Sequence, residues 1–389
     1  MPKSQKLKIA MFSDSFFPSI DGVVTSIATT ALELSKQGHS ILVFAPKPRD
    51  FSKVPEISGF EVVWVAAVSL LQYDQYRVSP PFSLSAQKKF KAFAPDVVHC
   101  HTPFSLGWMG LNLGKKFKVP VVATYHTLLP NFLMYLPIPI FNKTKLAKQI
   151  TWHYTNFFYK KADLVTTPTE PMAIELKKHG CPALAISNPV QFSLFNRFSK
   201  TKKPDFKKEF RLVYFGRLSF EKNIEVLIEA LKILLSKKIP AKLVLVGDGP
   251  AKQFLQGVTK NLALEKHVEF TGILRKDDLA KKVASCHVMV TASTIETQGL
   301  TILEGMSAGL PCVGTDFLGI PDAVKENQNG FLFPAFKAGI CAQKLEKIFK
   351  SKKLYQKLAV NSLKTGKKFS SEQVCLEWEK TYRKLAKKR

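Results

Sequence analysis

The chain has 389 residues, 46% of them hydrophobic, with 20 Gly and 23 Pro, enough for two or three globular domains with sizeable cores; this excludes a disordered, collagen-like or disulfide-framework protein. Lys and Arg number 58 against 30 Asp and Glu, a formal charge of +28, which exceeds what small anionic substrates require and points to an extended anionic partner, nucleic acid or a membrane surface. The six cysteines (Cys100, Cys181, Cys286, Cys312, Cys341 and Cys375) lie far apart with no CxxC, as in a cytoplasmic protein with reduced core thiols.

Met1-Pro2-Lys3-Ser4 runs straight into an apolar segment, without the longer apolar run and cleavage site of a secretory signal. No stretch reaches the ~18 apolar residues of a membrane span. Leu7–Phe12, Ile41–Ala45, Glu61–Val65, Asp96–Cys100, Val119–Thr124 and Asp163–Thr167 read as strands, with helical patterns such as Gly22–Gln37 between them. The alternation restarts with Arg211–Phe215, Lys242–Val246, His267–Thr271, His287–Thr291 and Pro311–Gly314. This pattern predicts two α/β domains with doubly wound parallel sheets, over 1–190 and 210–365, joined by a linker over 191–209. Ligands of such sheets bind at the carboxyl ends of the strands, so a cleft between the domains is the expected site. A basic helix over 366–389 closes the chain.

The first strand leads through Asp14 to Val23, where Pro18 and Gly22 shape a loop able to approach a ligand closely. From Val97 to Ala162 there is no Asp or Glu, while Lys115, Lys116, Lys118, Lys143, Lys145, Lys148, Lys160 and Lys161 alternate with aromatics that include Trp108, Trp152 and Phe157. The piece from Ile138 to Trp152 can form a helix with Lys on one side and Phe141, Leu146 and Ile150 on another. That composition suits an interfacial helix on anionic lipid, with Lys143, Lys145, Lys148, Trp152, Lys160 and Lys161 as contacts; a core-facing helix with a solvated Lys face is the other reading. No RNP, zinc-finger or KH signature supports a nucleic-acid partner. His126 ends the strand before it and faces the expected cleft, or is a satisfied structural histidine. His99-Cys100-His101 lacks a third and fourth ligand in metal-site spacing. Gly110 to Lys116 is one residue short of a P-loop, and Gly247-Asp248-Gly249 lacks the third Gly of a dinucleotide fingerprint because Lys252 stands in its place.

At the end of the first strand of the second domain, Gly216-Arg217-Leu-Ser-Phe-Glu221-Lys222-Asn223 offers a guanidinium fork and a point charge to phosphate. Both are otherwise surface cations of a basic protein. After the strand His287–Thr291 comes Ser293-Thr-Ile-Glu296-Thr-Gln-Gly299-Leu300-Thr301-Ile-Leu-Glu304. The Gly299 turn opens a helix whose free N–H groups suit a diphosphate. Glu304, one turn in, can accept hydrogen bonds from a vicinal diol, and Glu296 from sugar hydroxyls. On spacing alone both remain readable as solvent-facing glutamates.

Taken together these segments resemble glycosyltransferase family 4, retaining enzymes of GT-B fold, over nearly the whole chain from Ile9 to about Phe333. The E-x7-E motif matches Glu296 and Glu304, G-R-x-x-x-E-K-N matches Gly216 to Asn223, and V-G-x-G-P matches Val246 to Pro250. The resemblance implies two Rossmann-like domains around a cleft, an acceptor and membrane-binding domain first and a nucleotide-sugar domain second, with the basic C-terminal helix packed back on the first. It implies that Arg217 and Lys222 neutralise the donor diphosphate, that Glu304 binds ribose and Glu296 the transferred sugar, and that Gly22, Gly299, Leu300 and Thr301 lie along the diphosphate and sugar. It makes His126, Glu296, Arg217 and Lys222 the catalytic set. Glu-Thr-Gln-Gly-Leu-Thr and Thr-Tyr-His-Thr are similar to the subgroup that glycosylates diacylglycerol. Glucose transfer from UDP-glucose to diacylglycerol, on the cytoplasmic face of the membrane, is therefore the implied activity. Transfer of mannose or another hexose to a phosphatidylinositol-type or soluble sugar acceptor is the runner-up, and a non-catalytic binding protein on the same scaffold stands third. No tightly bound cofactor or metal is implied: the nucleotide sugar is substrate, and stimulation by Mg2+ is compatible with diphosphate chemistry. One departure is Gly319-Ile-Pro321-Asp322, where the family motif has Glu.

Overall fold

The structure, a computed structural model, describes residues 6–19, 21–70, 73–129, 144–201 and 203–387. They form two compact units, Met1–Pro189 with Ser371–Arg389 and Val190–Ser370.

In chain order the first unit contains β1 (Lys8–Phe12), α1 (Gly22–Lys36), β2 (Ser40–Pro46), β3 (Glu61–Val65), β4 (Val68–Leu70), β5 (Tyr73–Val78), α2 (Leu84–Phe93), β6 (Val97–Cys100), α3 (Ser105–Phe117), β7 (Val121–Thr124), α4 (Lys145–Tyr159), β8 (Leu164–Thr167), α5 (Glu170–Lys178) and β9 (Leu184–Ala185). Seven strands make a sheet in the order β3-β2-β1-β6-β7-β8-β9, parallel throughout. The fully buried runs of β1, β2, β6 and β7 are what a sheet covered on both faces requires. The strand expected from Val119 begins at Val121. Pro120 has no N–H for the ladder, although its carbonyl still accepts from the Val98 N–H at 2.9 Å. The antiparallel hairpin β4-β5 and the two-residue edge strand β9 had no distinct periodicity in the sequence.

The second unit contains α6 (Phe192–Asn196), β10 (Phe210–Phe215), α7 (Ile224–Ser236), β11 (Ala241–Val246), α8 (Lys252–Asn261), β12 (Val268–Gly272), α9 (Lys276–Ala284), β13 (Val288–Thr291), α10 (Leu300–Ser307), β14 (Cys312–Thr315), α11 (Ile320–Ala323), β15 (Gly330–Phe333), α12 (Ala338–Lys350) and α13 (Lys352–Lys368). Its parallel sheet runs β12-β11-β10-β13-β14-β15. This is the doubly wound order with a switch point between β10 and β13, where such sheets bind nucleotides. Residues 191–209, expected as a linker, are not a free tether. Val190 and Phe195 are each 2% exposed in the second unit's core, with Leu194 and Phe198 packed beside them. Apolar side chains at 194, 195 and 198 follow helical spacing and bury one face.

The chain then returns to the first unit. In α14 (Ser371–Ala386), Val374, Cys375, Trp378, Tyr382 and Leu385 form one buried stripe against the core built on Ile9, Met11, Ile27 and Val43. No helix among the described residues is long and apolar enough to cross a membrane.

Candidate active site

In the second unit, β10 stops at Gly216, whose φ of 137° suits glycine alone. A Cβ on Gly247 would lie 2.0 Å from the Gly216 carbonyl oxygen, so the two turns touch through bare backbone. Past Gly216 the Tyr214 hydroxyl donates to the Arg217 carbonyl at 2.9 Å, and the Arg217 side chain is exposed. Asn223, in left-handed conformation at φ 50°, fastens this loop to the next one. Its Nδ2 donates to the Ala292 carbonyl and to Thr294 Oγ1, both at 3.2 Å.

The two loops bring predicted residues together. Lys222 Nζ donates to Glu296 Oε1 at 2.6 Å, with the side chains 16% and 23% exposed. Gly299 caps α10 at φ 78° and ψ 66°. A Cβ on Gly216 would meet Thr301 Cγ2 at 3.8 Å, which sets the end of β10 against the first turn of α10. Glu304 follows one turn into that helix, partly buried, and desolvation alone pushes its carboxyl up to about 8. Cations, free helix N–H groups and two carboxylates thus gather at the carboxyl edge of the sheet, as anion and diol binding require.

Sequence reasoning gave no role to Tyr214 or Asn223, nor to Gly319. The Gly319 N–H donates to the Glu296 carbonyl at 2.9 Å, and a Cβ there would stand 2.0 Å from the Thr297 carbonyl oxygen. Glu296 is therefore held from behind by a contact only glycine permits. The G-x-P-D motif was the available signal.

In the first unit Gly22 opens α1. Asp21 caps the helix, with Oδ1 accepting from the Val24 N–H at 2.8 Å and Oδ2 from the Ser15 hydroxyl at 2.6 Å. Asp14 secures the start of α3. Its Oδ1 accepts from Ser105 Oγ and Leu106 N at 2.6 and 2.9 Å, and its Oδ2 from Thr102 Oγ1 at 2.6 Å. His126 follows β7 and is 8% exposed. Its Nε2 lies 3.0 Å from His101 Nδ1, and burial lowers its pKa to about 4. His101 and His126 line a cavity of about 50 Å³ with Val23, Phe104, Thr127 and Tyr159.

The expected lipid-facing residues separate. Lys143 and Phe141 lie outside the described residues. α4 starts at Lys145 behind a Thr144 cap whose hydroxyl accepts from Ala147 N at 3.1 Å. Ala147, Thr155, Phe158 and Tyr159 face inward, whereas Lys145, Lys148, Lys160 and Lys161 are exposed. Trp152 does not project outward: it stacks on His179 at 3.8 Å with 12° between the planes. The exposed apolar stripe is Leu146 at 57%, Ile150 at 51% and Phe157 at 55%, spaced i, i+4, i+11 along the helix.

Two doubly wound units with this motif order define a glycosyltransferase of GT-B type, and comparison with known proteins agrees. Residues 20–193 match the model of Glycosyltransferase Family 4 and residues 196–365 that of Glycosyl transferases group 1; the chain belongs to these family 4 glycosyltransferases. It is similar to an alpha-monoglucosyldiacylglycerol synthase of Streptococcus pneumoniae, 29% identical over 79% of this chain and 70% of that one. It is also similar to a GDP-mannose-dependent alpha-mannosyltransferase of Corynebacterium glutamicum, 27% identical over 84% of this chain and 76% of the relative. The Anabaena protein HepE, solved in complex with UDP, superposes with a TM-score of 0.75 at 18% identity, covering 98% of this chain and all of that one.

Proposed function

We propose that this glycosyltransferase moves glucose from UDP-glucose to diacylglycerol, with retention, as a peripheral protein on an anionic cytoplasmic membrane face. The observation that carries the reading is the meeting of Lys222 and Glu296 at the mouth of α10 in the second unit; in the first unit an exposed helix that pairs lysines with an apolar stripe supports the membrane part. The similarity to the alpha-monoglucosyldiacylglycerol synthase supports the sugar and the acceptor. The similarity to the GDP-mannose-dependent relative favours a second reading, mannose transfer on the same framework.

In the proposed mechanism Arg217, Lys222 and the N–H groups of Gly299, Leu300 and Thr301 neutralise the diphosphate as it leaves. This is electrostatic stabilisation where charge develops, usually the largest single contribution. Glu304 accepts from the ribose diol and Glu296 from the sugar hydroxyls, while Gly22 and His126 are the first unit's contributions to diphosphate and sugar. The acceptor's proton passes to the departing phosphate oxygen, so no side chain serves as general base. In the free protein Lys222 and Glu296 hold each other in place, and the donor separates them by offering the cation a phosphate and the carboxylate a hydroxyl.

Arg217→Ala, which removes a cation aimed at the developing charge, and Glu296→Ala, which removes the acceptor that orients the sugar, are each expected to lower transfer at least about 10²-fold. Sedimentation with vesicles should remain unchanged. Variants that keep full transfer activity would remove this site assignment.

A further inference from the structure

Helix α13 in the second unit carries six lysines, Lys352, Lys353, Lys357, Lys364, Lys367 and Lys368, and no acidic residue. Its other face is pinned. Leu358 is buried in the core, Ser362 Oγ donates to the Asn329 carbonyl at 3.0 Å, and a Cβ on Gly366 would stand 2.6 Å from Ser307 Oγ of α10. These three positions repeat at i, i+4 and fix the helix against rolling about its axis. At 3.6 residues per turn the six lysines fall within about 160° on the opposite side, and all six are exposed.

Several other lysines of this unit have carboxylate partners. Lys237 and Lys350 pair with Glu346, Lys242 and Lys282 with Glu269, Lys252 with Asp248, and Lys344 with Glu326. Among the described residues no lysine of α13 forms an ion pair; Lys368 lies over the Phe369 ring at 5.5 Å. The arrangement works against the helix itself. Lys353 with Lys357, and Lys364 with Lys368, are like charges at i, i+4. Lys364, Lys367 and Lys368 suit the negative end of the helix dipole, but Lys352 and Lys353 stand at its positive end, where acids are favoured. Solubility alone asks for mixed signs along such a face. An anionic surface outside the protein relieves the repulsion.

We infer that α13 is a second membrane-contacting surface, through which the second unit binds anionic lipid headgroups by charge alone. The stripe runs about 25 Å, and lysines are point charges suited to an array of separate headgroups. α13 has no Arg to fork a phosphate and no exposed aromatic on which a nucleotide base would stack, as single strands require. It differs from α4, where lysines accompany Leu146, Ile150 and Phe157; on α13 the exposed large apolar residue is Val360 alone. The contact at α13 is therefore the more salt-sensitive of the two. The inference rests on the membrane reading proposed above and not on the identity of the sugar.

The test is flotation of the full chain with vesicles of phosphatidylglycerol and phosphatidylcholine. The triple variant Lys353→Gln/Lys357→Gln/Lys364→Gln should bind at least about tenfold more weakly, since one lysine at such a surface is worth about fivefold. The binding it keeps should be less sensitive to salt. Arginine at the same three positions should restore the affinity. A control variant, Lys232→Gln/Lys260→Gln/Lys266→Gln, removes the same charge from exposed positions of the same unit and should stay within about twofold of the unmodified protein, because charges far from the contact are screened. Thermal melts should place the α13 variant at or above the unmodified protein, since like charges have been removed. Unchanged vesicle binding by the α13 variant overturns the inference, as does a loss no larger than the control's. So does an oligonucleotide complex that the α13 variant loses while its vesicle binding stays intact, which would give the stripe to nucleic acid. Failure of the unmodified protein to bind anionic vesicles at all would instead remove the underlying membrane reading, and the inference with it.

Discussion

Glu304 carries the pH dependence that the residue scale exposes. Its folded pKa, raised from 4.5 to about 8 by burial, means that the folded protein keeps a proton that the unfolded chain has already lost. The stability it contributes is fully present below pH 4.5, falls as pH rises and is exhausted above pH 8. Thermal melts of Glu304→Gln should show a flatter stability–pH curve over that window, while nucleotide affinity drops because the amide offers the diol one acceptor oxygen where the carboxyl has two. An unchanged slope would mean that Glu304 is solvated in the free protein. Glu296 and Glu304 were legible as a pair because seven residues separate them within one motif. The partners of the loops were not. Asn223 reaches Ala292, and Asp14 reaches Ser105 and Leu106, across 69, 91 and 92 positions. No local pattern records a contact at that separation. His101 was noticed only as half of a failed metal motif, since its partner His126 belongs to the neighbouring strand.

At the scale of elements, the strands of both sheets were readable as short apolar runs because parallel sheets bury both faces. What escaped were β9 and the β4-β5 hairpin, and the edge strand β15, whose four residues are too few for a distinct apolar run although Phe331 and Phe333 are buried. The stretch 191–209 begins at the division between the units, and the helix α6 inside it went unread because its lysines and polar residues outnumber the few apolar positions that α6 uses to dock. Trp152 misled for a related reason: composition places an aromatic on a basic helix but does not say which face it takes. The contact between the loop before α11 and the loop before α10 gives a direct test of element packing. Gly319→Ala puts a methyl where the Thr297 carbonyl stands, a steric conflict costing roughly 1–3 kcal/mol. Calorimetry should show lower stability, and kcat should fall because the displaced loop carries Glu296. A variant of full stability and activity would mean that the loop yields freely.

For the whole molecule the formal charge of +28 matters more than any single ion pair. The exposed pairs contribute little, but lysines near an anionic surface add about 1 kcal/mol each. Leu146, Ile150 and Phe157 beside Lys145 and Lys148 supply both parts of an interfacial contact. Flotation with vesicles should therefore show binding that rises with anionic lipid and weakens with salt. Binding to neutral vesicles alone, insensitive to salt, would remove the electrostatic half of the proposal. The central claim is transfer of glucose to a lipid. It is tested most directly by offering radiolabelled UDP-glucose, UDP-galactose, UDP-N-acetylglucosamine and GDP-mannose in turn, with vesicles of diacylglycerol and anionic lipid, and counting label in the organic phase. Label from UDP-glucose is the expected result; donor turnover with no label in the organic phase from any of the four would contradict the claim.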